Sequence, residues 1–128
     1  MTAEKTLLAV IEQGGYPDFS SLYQAAGFQV IKVSSTRKAL GQIKRQPPSL
    51  VVAEFLYSPT YGTRISNFEA LAAGLACSAP AARLLALVDR DKLDHLEKIR
   101  KLLPPHEVLT FPISEAALQR SLEKLAHD

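Results

Sequence analysis

Pro48-Ser49-Leu50-Val51-Val52-Ala53-Glu54 is the stretch whose reading decides the fold. Pro47 and Pro48 end whatever helix precedes them, because proline disfavours helical backbone in the residue before it and donates no N–H. Four apolar residues then follow without in-out alternation. An uninterrupted apolar run of this length marks a strand covered on both faces, the usual state of a strand in a parallel sheet. The run closes on a single acid, Glu54.

Outward from that strand the same pattern repeats. Strands are expected at Leu7–Glu12, Gln29–Val33, Leu50–Phe55, Leu84–Val88 and Glu107–Thr110. Amphipathic stretches lie between them. The first takes Asp18 as N-cap, turns Phe19, Leu22, Tyr23 and Ala26 inward, and stops at Gly27. The second runs from about Ser35 to Gln46 on Ala39, Leu40 and Ile43. The third opens on the capping box Ser66-Asn67-Phe68-Glu69 and buries Phe68, Leu71, Ala72 and Leu75. The fourth spans about Asp91 to Leu103, with Leu93, Leu96, Ile99 and Leu103 on one side. The fifth starts at Ser114 and carries Leu118, Leu122 and Leu125. Strands alternating with helices imply a parallel sheet with helices on both faces, and right-handed crossovers make it doubly wound. One domain over residues 1–128 suits the length.

Composition narrows the function classes. With 47% apolar and 22% charged residues the chain reads as globular. A net charge of +2 is too mild to imply nucleic acid. The basic helix-two residues Arg37, Lys38, Lys44 and Arg45 lack interleaved aromatics and read as a solvated face. The single cysteine, Cys77, rules out an intrachain disulfide and a multi-cysteine metal site; among Ala and Leu neighbours it reads as a small core residue. No apolar run is long enough for a membrane span, and the N-terminus lacks the pattern of a signal peptide, so a cytoplasmic setting is expected. His95, His106 and His127 have no metal-ligand spacing. Gln13-Gly14-Gly15-Tyr16-Pro17-Asp18 lacks the spacing and the Lys-Ser/Thr of a phosphate loop and reads as a turn.

The order Ala26-Gly27-Phe28-Gln29-Val30, Val33-Ser34-Ser35, Ala39-Leu40, then Pro47-Pro48-Ser49-Leu50-Val51-Val52 up to Glu54, resembles a response-regulator receiver domain. Leu109-Thr110-Phe111-Pro112-Ile113 is similar to the receiver strand that ends in Lys-Pro-Phe. The resemblance covers nearly the whole chain. It implies a chemotaxis-receiver-like, flavodoxin-like sheet of order 2-1-3-4-5 and a place in two-component signal transduction or a phosphorelay.

Position by position, the resemblance also implies a degenerate site. Glu54 stands at the phosphoacceptor position, one methylene longer than the family's aspartate. Glu12 supplies one acid where the family has a pair. The switch Thr/Ser falls at about Val88, its aromatic partner near Val108, and the lysine before Pro112 at Phe111. Two carboxylates are a poor ligand set for Mg²⁺. A phenyl ring cannot stabilise developing phosphoryl charge. The expectation is a pseudo-receiver, not an enzyme, without Mg²⁺, acting by protein–protein interaction independently of phosphorylation. Its partner is another signalling protein, with a homodimer through the fourth helix, fifth strand and fifth helix; no nucleic acid and no membrane are involved. Phe111 is expected to fill the space of the lysine and ion, Glu54 to be partly solvated, and Phe111-Pro112 to be cis.

Two alternatives stay open. One is a weakly active receiver that accepts phosphate at or near Glu54, helped by Glu12 and by Asp89 or Asp91. The other is a small-ligand sensor at the carboxyl edge of the sheet, between Glu12, Glu54, Phe111 and the loop bearing Tyr57, Tyr61 and Arg64.

Overall fold

Strand β3 (Leu50–Glu54) is buried along its whole length, as its apolar run requires. Around it the computed structural model, which describes residues 5–57, 66–100 and 105–127, places β1 (Lys5–Val10), β2 (Phe28–Val33), β4 (Arg83–Val88) and β5 (Glu107–Thr110). All pairings are parallel, in the order β2-β1-β3-β4-β5. The helices are α1 (Ser20–Ala25), α2 (Thr36–Arg45), α3 (Phe68–Ser78), α4 (Leu93–Ile99) and α5 (Glu115–His127).

The reason the strands lack alternation is visible in the two cores. Leu8, Val51, Ala53, Leu84 and Ala86 point to one face, where they meet Ile43 of α2, Leu71 of α3 and Leu96 of α4. Leu7, Ala9, Val52, Leu85 and Leu87 point to the other, against Tyr23 of α1 and Leu118 and Leu122 of α5. Successive residues of one strand therefore feed different cores, and both must be apolar. Each fully buried leucine contributes roughly 1.5–3 kcal/mol.

Local chemistry sets the element ends. The Ser35 hydroxyl accepts from Lys38 N–H at 3.1 Å and starts α2. Asp18 accepts from both the N–H and the hydroxyl of Ser20, at 3.0 and 2.6 Å, and α1 starts at Ser20, one residue later than a helix capped by Asp18. Those bonds, with Lys32 beside it, lower the Asp18 carboxyl to about 2. Gly27 ends α1 at φ +98, a conformation that L side chains rarely adopt. Only half of the expected capping box forms at α3: Ser66 N–H donates to Glu69 at 2.9 Å, whereas the Ser66 hydroxyl has no partner among the described residues.

Three expectations are corrected. Cys77 is exposed, not core: with Leu71, Ala72 and Leu75 inward, helical spacing carries the buried stripe on to Ala79 and past Cys77. The first strand stops at Val10, before Glu12, because the chain turns there to serve the site described below. The fourth helical segment opens with a 3₁₀ turn at Arg90–Lys92 before α4, and Leu103 lies outside the described residues. On the face formed by α4, β5 and α5, Leu118 and Leu122 are buried at 0% and 1% exposure, which leaves Glu115, Gln119, Arg120, Glu123 and Lys124 outward on α5. No helix among the described residues is long and apolar enough to cross a membrane.

Candidate functional site

Glu54 ends β3 at the carboxyl edge of the sheet, and it is only 3% exposed. A buried carboxylate must be hydrogen-bonded or it costs several kcal/mol. The β1–α1 loop meets that demand. Glu12 N–H and Gln13 N–H donate to Glu54 Oε1 at 2.7 and 2.8 Å, and Gly14 N–H donates to Oε2 at 2.9 Å. Three successive amides converge on one acid, an anion nest closed from within the chain. Gly14 and Gly15 adopt φ +69 and +83, which lets the loop fold back over β3. The Gly-Gly segment is therefore more than the turn expected from sequence, and Glu54 is not the partly solvated acid expected there.

Tyr16 stands beside the nest. Burial, with the Glu54 charge as the next cause, holds its hydroxyl far above the ordinary tyrosine range. Its ring packs against Phe111 with centroids 5.2 Å apart and against Phe19 at 6.0 Å. Nothing in the spacing of the sequence singled out Tyr16.

Glu12 is likewise engaged. Its Oε1 accepts from Thr36 N–H at 2.9 Å, at the start of α2, and its Oε2 accepts from Asn67 Nδ2 at 3.3 Å. Asn67 is the second residue the sequence did not single out. Its Nδ2 also donates to the Glu54 carbonyl at 2.7 Å, and its Oδ1 accepts from Leu56 N–H at 2.8 Å. One amide thus ties the end of β3, the start of α3 and Glu12 together.

The other positions fall around a cleft of about 610 Å³ at the carboxyl edge, bordered by Gly14, Tyr16, Glu54, Asp89, Phe111 and Pro112. Phe111-Pro112 is cis. Phe111 is half-buried and forms one wall of the open cleft; it does not plug it, because its ring leans on Tyr16. Val88 is fully buried in the core beneath α4, and its carbonyl accepts from Phe111 N–H at 3.1 Å. Asp89 reaches the cleft. Asp91 instead lies in the 3₁₀ turn beside Lys92 at 3.9 Å. Tyr57 turns away to the α4 side, stacked on His95 with centroids 3.6 Å apart. Tyr61 and Arg64 lie outside the described residues. Among the described residues no group of three or more His, Cys, Asp and Glu is placed to hold a metal ion.

No protein-family model and no curated protein matches the chain. Solved structures do. A CheY-like receiver domain protein from Methanospirillum hungatei superposes with TM-score 0.75 at 14% identity, covering 98% of this chain and 96% of its own. The chemotaxis response regulator CheY4 of Vibrio cholerae gives 0.74 at 17% identity, covering 96% and 99%. A response regulator receiver domain protein from Clostridium thermocellum gives 0.72 at 17%, covering 95% and 94%. Likeness at such identity speaks for architecture, and it agrees with the strand order and the covered central strands: the chain has the response-regulator receiver fold.

Proposed function

We propose that this chain is a signalling module that works by binding another protein and whose binding does not depend on phosphorylation. One observation carries the reading: both oxygens of Glu54 are spent on donors of the chain itself. Attack on a phosphodonor would have to pull the carboxylate off three backbone amides, each bond to the charged group being worth about 1.5–3 kcal/mol. Glu12 is committed to α2 and Asn67, so the two carboxylates do not fit a Mg²⁺ ion without breaking contacts that hold the loops. With phenylalanine at position 111 no cation faces the transferring group there. We assign the chain no catalysis.

The surface we infer for the partner is the face of α4, β5 and α5. Apart from Ala116, its outward residues on α5 are charged or polar, so the contact is a mainly polar one, with another signalling protein or a second copy of the chain. The test is mass spectrometry of the intact protein after incubation with a small phosphodonor and Mg²⁺. The mass should not change. A phosphoryl adduct mapped to Glu54 would overturn the reading and favour the weakly active receiver.

A further inference from the structure

We propose that the carboxyl-edge cleft binds a small planar organic cation, an amidinium or guanidinium carried on an aromatic body. The volume of about 610 Å³ lies within the range of small-molecule sites. Its sign is one-sided. Glu54 and Asp89 border it, and none of its described lining residues is Lys or Arg. The Asp89 carboxylate is exposed and has no ion-pair partner among the described residues. Tyr16 and Phe111 lean together at 39° and give the cleft an aromatic wall. Rings attract a cation over their faces, and a flat amidinium both stacks and forks two N–H groups toward one carboxylate. Anions are disfavoured by the same groups, and the nest amides that would have received one are taken by Glu54. The chain as a whole carries +2, so a cation gains nothing from the net charge and must be selected by these local groups.

The inference stands apart from the proposed function: a phosphoryl adduct on Glu54 would end that reading and leave this one to its own test. The probes are benzamidine, benzamide and benzoate, which share a shape and differ in charge. Each is titrated into the whole protein while the amide NMR signals of Gly14, Gly15, Phe111 and Ile113 are followed. Benzamidine should bind with a dissociation constant of about 1–10 mM, as expected for so few atoms. Benzamide should bind at least about fivefold more weakly, and benzoate should leave the signals in place. Asp89→Asn, at an exposed position that leaves the core intact, should weaken benzamidine about fivefold, and Phe111→Leu by a similar factor. Equal binding of all three probes, shifts elsewhere on the molecule, no shifts at all, or an Asp89→Asn variant with unchanged affinity would each overturn the proposal.

Discussion

One carbon atom separates a glutamate from an aspartate, and at position 54 that carbon sets the role of the acid. The longer side chain reaches back to three amides of the β1–α1 loop. Glu54→Asp withdraws the carboxylate by about 1.5 Å, the length of one carbon–carbon bond, and breaks that contact. We expect Glu54→Asp and Glu54→Ala each to cost about 2–4 kcal/mol in urea unfolding, because buried amides lose their acceptor. Glu54→Gln should cost about 1–3 kcal/mol, since its amide nitrogen faces donors where an oxygen accepted. Tyr16→Phe keeps the ring packed on Phe19 and Phe111 and should cost less than about 0.5 kcal/mol near neutral pH. The alkaline limb has a definite sign. Burial raises the hydroxyls of both Tyr16 and Tyr23 above the ordinary 10.0, with the Glu54 and Asp18 charges as the next contributions. Each contributes stability that is complete below about pH 10 and is lost as pH rises beyond it, when only the unfolded chain ionises. Urea midpoints should fall above pH 10, and less steeply for Tyr16→Phe. The acid at position 54 was legible from sequence; its three donors were not, because they come from residues about 40 positions earlier that only the closed sheet brings near.

At the scale of elements, the strands were the most legible part. β5 has the expected bounds, and β2, β3 and β4 differ from expectation by a single residue at one end; for the central β3 and β4 the reason is that doubly covered strands must be continuous apolar runs, whereas the edge strands β2 and β5 are only partly buried. Helix ends were less legible, because they depend on which side chain reaches which amide, as at Asp18 and Ser66. Cys77 was misread from its neighbours' composition, although the spacing of Leu71, Ala72 and Leu75 already put it outside. Two glycines give predictions of opposite sign. Gly41 lies inside α2 with open space where a Cβ would go, so Gly41→Ala should stabilise by about 0.5–1 kcal/mol. Gly27 holds φ +98 at the end of α1, so Gly27→Ala should destabilise by about 1–2 kcal/mol although no atom blocks its Cβ. Thermal unfolding of the two variants against the parent checks both.

The whole molecule is a receiver-type sheet with two separate cores, one beneath α1 and α5 and one beneath α2, α3 and α4. Its carboxyl edge is held by bonds within the chain: Glu54 closes the β1–α1 loop, Glu12 anchors α2, and Asn67 joins both to α3. An edge pinned in this way has little freedom to rearrange when a divalent ion or a phosphoryl mimic is supplied. The most direct test reads those amides. Signals of Glu12, Gln13 and Gly14 are followed by NMR while Mg²⁺ and then beryllium fluoride are added. The account predicts that they stay where they are and keep their protection from hydrogen exchange. Saturable shifts of these three signals, with their exchange accelerated, would show the Glu54 carboxylate leaving its nest and would contradict it.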